Sequence, residues 1–214
     1  MIMKSILFKT AMGLVASAAF SSCALQADSA TGSKKVVKGM PHAPCSKLVA
    51  KDAGRTKDKH GMVTYKDSER RRHVRTTSYS HMENEPGAPG KMNAAGTTLI
   101  FNNKVRSAAA DWSVYPLGTK FRIKGLPYLY VVDDYGSSLA GTNTIDIYKP
   151  TLSMMRKWGS RNVEVTVVQW GSYERSRRLL SGRRGYWHCK RMHTAIVKKL
   201  NTGKYAKLEE AVLF

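Results

Sequence analysis

The stretch that decides the fold is residues 131–148, which read VVDDYGSSLAGTNTIDIY. It begins in an apolar run that predicts a buried strand. Asp133 and Asp134 end that run, and a turn rich in glycine and serine follows. A second predicted strand, residues 144–148, alternates in polarity and places Asp146 on the face opposite its isoleucine neighbours. Aspartate is disfavoured in strands, so this group of carboxylates indicates a function, with ordinary turn capping as the alternative.

Outward from this stretch, short β-prone segments alternate with turns rich in glycine and proline. Their spacing is typical of a small barrel or sandwich. One helix should intervene, because a short helical segment follows Pro150 and is ended by Gly159. The sequence therefore predicts strands at residues 73–80, 105–110, 120–124, 128–132, 144–148 and 163–170, with the helix at residues 151–158.

The positive charge lies mostly outside this predicted barrel. The 214 residues carry a net charge of +21, but residues 79–171 contribute only +3, whereas residues 28–78 and 172–214 contribute +8 each. Hydrophobic residues make up 42% of the chain, which excludes a wholly disordered protein. We expect the basic flanks to bind an anionic envelope surface. The alternative for the first flank is that the charge run at residues 69–72 is merely solvated. The alternative for the second flank is a C-terminal helix that packs on the barrel or frays.

These shifts in composition divide the chain into four predicted segments. The region before the barrel shows no sustained period of 2 or 3.6 residues, as is typical of a flexible linker. The fold class is then mainly β, with basic flanks that are partly helical or disordered. The segments are a signal peptide at residues 1–27, a basic linker at 28–72, the barrel domain at 73–171 and a basic, partly helical tail at 172–214.

The N-terminus has the features of a secretory signal. Lys4 and Lys9 precede a short apolar stretch, residues 11–20, and small residues follow. That stretch is shorter than a membrane-spanning helix requires. Two endings remain open, which are ordinary cleavage and lipidation of Cys23 in a weak lipobox. Both predict export to the periplasm or cell envelope, and export argues against nucleic acid as the partner of the positive charge.

The carboxylates point to acid/base chemistry. The sequence has no His/Asp spacing typical of a metal site, no G-x-S-x-G motif and no cysteine near a histidine in the predicted barrel. We therefore expect no metal and no cofactor. Carboxylates without either are typical of proton transfer at a glycosidic bond. Two carboxyl groups placed close together do not both ionise easily, so one keeps its proton to a higher pH.

Three motifs connect these residues with a known family. They read AAADWSVYPLGT at residues 108–119, VVDDYGSSLAG and IDIY within residues 131–148, and WGSRNVEV at residues 158–165. In order and spacing they resemble the signatures of the 3D (three-aspartate) domain. That family is related to membrane-bound lytic transglycosylase A and other murein-cleaving proteins. The resemblance implies a six-stranded double-psi β-barrel.

The resemblance also implies roles for individual residues. Asp146 matches the aspartate that acts as catalytic acid and then base. Asp134 would raise the pKa of that acid or orient it, and Asp111 would be largely structural. The residues that the resemblance implies for substrate binding are Tyr79, Lys91, Gly136 and Gly141.

The implied function is that of an exported lytic transglycosylase with peptidoglycan glycan strands as its partner. It would cut between N-acetylmuramic acid and N-acetylglucosamine and leave a 1,6-anhydro end. The alternative is a non-catalytic barrel, similar to expansins, that binds peptidoglycan or another polysaccharide. Tyr135, Ser137 and Ala140 depart from the family pattern and alter the loop over the site.

Two further cysteines lie on either side of the barrel. Cys45 and Cys189 would meet oxidants in an exported protein. A disulfide between them is one prediction, and two free thiols on separate flanks are the other.

Overall fold

Six short strands close into a barrel in the part of the chain that the computed structural model describes, residues 46–83 and 90–202. The strands are β1 (Arg71–Tyr79), β2 (Val105–Ala110), β3 (Lys120–Ile123), β4 (Leu129–Asp134), β5 (Ile145–Tyr148) and β6 (Arg161–Gln169). The helices of this part are α1 (Ser46–Lys51), α2 (Leu152–Trp158), α3 (Tyr173–Ser181) and α4 (Trp187–Leu200). Around the barrel the strands follow the order β1-β5-β2-β4-β3-β6.

The barrel mixes parallel and antiparallel neighbours. β1 pairs with β5, and β2 with β4, in parallel. The other neighbours are antiparallel. Parallel neighbours need a crossover connection, so hairpins alone cannot build this barrel. The topology is consistent with a double-psi barrel, and the predicted mainly β fold with six barrel strands is confirmed.

Alternating apolar side chains fill the interior of the barrel. Ile145 and Ile147 of β5 are fully buried, whereas Asp146 between them faces away from the core. Phe121 and Tyr130 stack across the β3/β4 pair with ring centroids 5.2 Å apart. Burying one such side chain contributes about 1.5–3 kcal/mol. This alternation therefore decides which face of each strand is available for polar side chains.

Helix α2 forms where the sequence predicted it. Thr151 caps its first turn by accepting the Met154 amide, and Gly159 follows its last residue at φ +59°. The Ser78 hydroxyl of β1 donates to the Met155 carbonyl at 2.8 Å. This bond fixes α2 against the strand that contributes to the carboxylate site.

Residues 46–70 do not form the flexible linker that the sequence suggested. They make α1 and a series of turns, and one tyrosine and two aspartates bind elements of the remaining fold. Such polar contacts have no hydrophobic period, so pattern analysis does not detect them. The bonded pairs are Tyr65 with the His73 amide, Asp58 with the Asn143 amide, and Asp67 with Tyr173 and Lys199.

Within the charge run at residues 69–72, Arg72 is packed rather than solvated, whereas Arg70 and Arg71 are exposed. Arg72 is fully buried, and its guanidinium carbon lies 4.8 Å from the Trp170 ring centroid. It donates to the carbonyls of Lys66 and Glu69 at 2.9 and 2.8 Å. Ring contacts and hydrogen bonds offset the loss of water around a buried cation. Arg72 therefore joins the segment before the barrel to the end of β6.

The C-terminal segment packs on the barrel as two helices. Within residues 172–202, the apolar sides of α3 and α4 face the barrel and belong to the same core as the strands. The helical part of the prediction is confirmed, and the fraying alternative is wrong for these residues. The fully buried side chains are Leu180, Cys189, Met192 and Ile196.

Other predictions fall outside the described residues. The signal peptide, Cys23 and Cys45 all belong to this group, so export, lipidation and the Cys45–Cys189 disulfide stay predictions. Cys189 itself is buried in α4. Among the helices of the described residues, none has the length and apolar character needed to cross a membrane.

The buried guanidinium gives a stability prediction. Arg72→Ala removes the ring contacts and leaves two carbonyls without their donor, so the free energy of unfolding should fall by about 2–4 kcal/mol. Arg175→Ala is the matched control, because Arg175 is exposed on α3 and its loss should cost under about 0.5 kcal/mol. Urea unfolding measures both values. Equal stability of the two variants would contradict a supporting role for Arg72.

Candidate active site

Two of the three predicted aspartates lie in one row across four neighbouring strands. Asp134 of β4 pairs with Ala109 of β2, and Ala109 pairs with Asp146 of β5. On its other side Asp146 pairs with Thr77 of β1. Neighbouring strands lie about 4.8 Å apart and directly paired side chains share a face. The two carboxylates therefore flank a single methyl group, and we call these four residues the carboxylate row.

A β-bulge directs Asp134 into the row. Val132 and Asp134 pair with successive residues of β2, so Asp133 between them is an extra residue in β4. The Asp133 side chain is buried elsewhere and accepts a 2.5 Å hydrogen bond from the Ser107 hydroxyl. Burial raises the pKa of Asp133 to about 6. Two aspartates that are adjacent in sequence thus have different surroundings, and only the second belongs to the row.

Asp146 is the carboxyl of the row best suited to hold a proton. Its Oδ1 accepts a 2.7 Å hydrogen bond from the Thr77 hydroxyl. Burial raises the pKa of Asp146 to about 6, and the negative charges of Glu83 and Asp134 act in the same direction, while Thr77 and Arg75 oppose the rise. An ordinary aspartate with a pKa near 4 is fully ionised at neutral pH. With a pKa of about 6, roughly a tenth of the Asp146 carboxyls keep the proton at pH 7.

Asp134 is held in place by three hydrogen bonds. The Tyr79 hydroxyl donates to its Oδ2 at 3.1 Å, and the amides of Ala94 and Tyr135 donate to its Oδ1 at 3.0 and 2.9 Å. Burial raises the pKa of Asp134, but these bonds and the positive charge of Arg183 oppose that rise. The two carboxyl groups of the row therefore have unequal surroundings, which is the arrangement that divides acid and stabilising roles between carboxylates.

Asp111 lies at the end of β2 and binds local groups. The Ser113 amide and hydroxyl donate to its Oδ1 at 2.7 and 2.6 Å. The Gly141 amide donates to its Oδ2 at 2.5 Å. Asp111 is 1% exposed, and burial raises its pKa. These bonds join the turn after β2 to the end of the glycine-rich turn, which fits a structural role.

Of the two predicted substrate-binding residues that carry a side chain, Tyr79 and Lys91, the structure brings Tyr79 to the carboxylate row. Tyr79 reaches Asp134 through its hydroxyl. Lys91 is exposed in a turn, and no hydrogen bond or ion pair within the described residues joins it to an aspartate. The same turn reaches Asp134 through the Ala94 amide instead.

The two predicted glycines have different surroundings. Gly136 precedes the 3₁₀ turn Ser137–Leu139 and has an extended backbone beside the row. Gly141 has φ +79°, and a Cβ built there would lie 2.3 Å from an Arg191 guanidinium nitrogen. Gly141 therefore makes room for an arginine of α4, which covers this end of the turn.

Three functional candidates were missed from the sequence. Thr77 binds Asp146, Ala109 separates the two carboxylates, and Arg183 donates to the Ala94 carbonyl at 2.8 Å. The period of 2 that places Thr77 and Tyr79 on one face of β1 could have identified Thr77. Within residues 46–83 and 90–202, no three His, Cys, Asp or Glu side chains come together as a metal site requires.

The comparison with known families covers the region that contains this site. Residues 106–169 match the model of the 3D domain. The chain therefore contains a 3D domain, and the resemblance identified from its motifs is confirmed. The matched region contains all three predicted aspartates and the strands β2 to β6.

Two curated relatives come from Bacillus subtilis strain 168. Cell wall-binding protein YocH is 28% identical over 113 residues, which are 53% of this chain and 38% of that protein. YabE, provisionally named a cell wall shaping protein, is 33% identical over 75 residues, which are 35% of this chain and 18% of that protein. The chain thus spans less than half the length of either relative.

Among solved structures, a variant of the Escherichia coli lytic transglycosylase MltA in an apo form is similar to part of the chain. The alignment covers 41% of this chain and 30% of that chain, with 22% identity and a TM-score of 0.31.

The raised pKa of Asp146 predicts how stability depends on pH. The folded state holds the Asp146 proton more tightly than the unfolded chain does. The contribution of this proton to the free energy of unfolding is therefore fully present below pH 4 and is lost as pH rises through about 6. Asp146→Asn removes that loss. The variant should exceed the parent in free energy of unfolding at pH 8, on the order of 3 kcal/mol, and should match it near pH 3.5.

Glu69→Gln is the control with the opposite sign. The hydrogen bond from Arg55 is the main cause that lowers the pKa of Glu69 to about 2. The ionised Glu69 carboxylate therefore stabilises the folded state above the pKa that glutamate has in the unfolded chain. Glu69→Gln removes this stabilisation and should lower the free energy of unfolding at pH 8. Urea unfolding at both pH values measures these differences. An Asp146→Asn variant less stable than the parent at pH 8 would rule out a destabilised carboxylate at this position.

Proposed function

We propose that this chain is a cell-wall-associated protein whose barrel cleaves peptidoglycan as a lytic transglycosylase. The observation that carries the proposal is the carboxylate row, in which Asp146 and Asp134 flank Ala109 and Asp146 has a pKa of about 6. A carboxyl group that keeps its proton near neutral pH is what protonation of a sugar leaving group requires. The 3D domain match covers both aspartates, which supports the roles that the family resemblance implies for them.

Asp146 performs both proton transfers in the proposed reaction. The protonated carboxyl donates to the oxygen between N-acetylmuramic acid and N-acetylglucosamine, and the bond from that oxygen to the muramoyl C1 breaks. The resulting carboxylate then takes the proton from the C6 hydroxyl of the same muramoyl sugar. The C6 oxygen bonds to C1 and closes the 1,6-anhydro ring, so the enzyme returns to its starting protonation state. Water does not take part, which separates this reaction from hydrolysis by two carboxylates.

Asp134 acts on the reaction through its charge. Its negative charge favours the protonated form of Asp146 before the reaction. It also stabilises the positive charge that develops on the sugar ring as the glycosidic bond breaks. The Tyr79 hydroxyl and two backbone amides fix both Asp134 oxygens, so this charge is already in position.

Ala109 provides the space between the two carboxylates. Its methyl group is the smallest carbon side chain in proteins. Ala109 is the common neighbour of Asp134 and Asp146. A larger side chain here would crowd the two carboxyl groups. The row therefore combines a proton donor and a fixed charge on either side of one small side chain.

The proposed partner and location follow from the relatives and the flanks. One relative is named for cell wall binding and another for cell wall shaping, which supports peptidoglycan as the polymer. The N-terminal residues favour export to the cell envelope, with Cys23 as the position of a lipid anchor if the signal is of the lipoprotein type. Exposed cations of the flanks, such as Arg178 and Lys198, would add attraction to the anionic envelope.

A non-catalytic barrel that binds peptidoglycan is the second candidate. The name of the relative YocH, which describes binding and not cleavage, favours it. Both candidates use the face of the barrel that carries the carboxylate row, so they differ in whether a glycosidic bond is broken. Purified sacculi incubated with the protein answer this, because only cleavage releases anhydro-muropeptides that mass spectrometry detects.

Asp146→Asn should nearly abolish the release of anhydro-muropeptides. The amide keeps the shape of the side chain but cannot donate the carboxyl proton, and loss of general acid/base catalysis costs about 10²–10⁴-fold in rate. Asp67→Asn makes the same chemical change at a residue that binds Tyr173 and Lys199, away from the row. It should keep a rate within a few-fold of the parent. Near-normal cleavage by Asp146→Asn would exclude Asp146 as the acid.

The pH profile provides a separate prediction. The donor must be protonated at the start of the reaction, so the cleavage rate should fall as pH rises above about 6, by roughly tenfold for each further pH unit. Initial rates on purified sacculi between pH 4.5 and 8.5 measure this. A rate that stays constant from pH 5 to pH 8.5 would contradict a carboxylic acid as the donor.

A further inference from the structure

An exposed aromatic surface lies where α4 begins. Tyr186 and Trp187 are 65% and 60% exposed, although side chains of this size usually bury most of their area in a folded protein. The ring of His188 has centroid distances of 5.9 Å to Tyr186 and 5.7 Å to Trp187. We call these three side chains the aromatic platform.

Ring contacts connect the aromatic platform with the carboxylate row. The His188 ring lies 5.7 Å from the ring of Tyr135, which directly follows Asp134 in the chain. Tyr135 packs edge-on against Trp112 at 5.0 Å, and the Trp112 indole N–H donates to the Asp134 carbonyl at 2.9 Å. A series of contacting rings therefore leads from Asp134 to the exposed start of α4.

Buried contacts hold the aromatic platform in a fixed position. Cys189 and Met192 follow it on α4 and are fully buried, and the Met192 sulfur accepts the Trp112 amide at 3.4 Å. In the turn before α4, Arg183 donates to the Ala94 carbonyl at 2.8 Å. A surface carried on a docked helix binds without the entropy loss of ordering a mobile segment.

Positive charges accompany the exposed rings. Arg184 and Lys190 are exposed on either side of the aromatic platform, and the first turn of α4 has no acidic residue. Rings and cations together complement a ligand that combines flat apolar faces with carboxylate groups. A glycan strand with peptide stems is such a ligand, because sugar rings offer C–H faces and the stems carry carboxylates.

We propose that the aromatic platform binds the glycan strand of peptidoglycan beside the bond that the carboxylate row cleaves. Sugar rings lie against Tyr186 and Trp187, and stem carboxylates lie near Arg184 and Lys190. This inference depends on the proposed function for the identity of the polymer, although binding by the platform does not require cleavage. The proposed binding surface then extends beyond the 3D domain match at residues 106–169 onto α4.

A lipid surface fits these observations less well. An amphipathic helix that lies in a membrane exposes an aliphatic face along its length. The aliphatic residues Met192 and Ile196 of α4 are instead fully buried against the barrel. The exposed apolar side chains at the start of α4 are the aromatic rings of Tyr186 and Trp187, which contact His188.

The test measures binding to purified sacculi in the Asp146→Asn background, where the polymer stays intact. Adding Tyr186→Ala and Trp187→Ala together should weaken binding by about tenfold or more, as expected for large aromatic anchors. Val168→Ala is the control, because it truncates a residue of β6 that is 49% exposed. It should leave binding within about twofold. Thermal unfolding of each variant confirms that the fold is kept.

Two outcomes would overturn the proposal. Sacculus binding that is unchanged by the double substitution is one. The other is loss of binding to vesicles of phosphatidylglycerol and phosphatidylcholine while sacculus binding stays the same, which would assign the platform to lipid. Failure of the proposed cleavage is recognised separately, because the parent protein would then release no anhydro-muropeptides while the double substitution still weakens binding.

Discussion

The pairing register of β2 with its two neighbours is the constraint on which the site depends. β2 lies between β4 and β5, and its Ala109 is the residue to which both carboxylates of the row are paired. A slip of β5 by one residue would turn Asp146 into the core and expose an isoleucine. Burial of Ile145 and Ile147 therefore holds the register, and the same packing that stabilises the barrel positions the acid.

The site also depends on an unfavourable electrostatic arrangement. Two partly buried carboxylates in one row lose hydration and repel each other when both are ionised. The amides and the Tyr79 hydroxyl stabilise the negative charge of Asp134, whereas Asp146 has a single hydroxyl donor from Thr77. The protonated form of Asp146 relieves the remaining repulsion. Burial of Asp146 is thus the main physical origin of the acid that the proposed reaction uses, and repulsion from Glu83 and Asp134 adds to it.

The sequence predicted the parts of this structure that depend on periodicity. The positions of the strands, the helix capped by Thr151 and the outward face of Asp146 all follow from alternation or capping signals. The bulge at Asp133 and the packing of residues 46–70 were not predicted. A bulge depends on how two distant strands align, and the segment before the barrel is held by buried Arg72 and single polar bonds, which produce no repeating pattern. The aromatic platform was missed as well, because its position beside the row arises from tertiary packing of α4.

Burial, with a smaller contribution from the negative charge of Asp134, keeps a proton on Asp146. Carbon-detected NMR titration of the aspartate side-chain carboxyls measures this without any substrate. The pKa of Asp146 should lie near 6 and should fall in the Asp134→Asn variant, where the neighbouring negative charge is absent. A pKa of Asp146 near the ordinary value for aspartate, about 4, or one that does not change on Asp134→Asn, would contradict it.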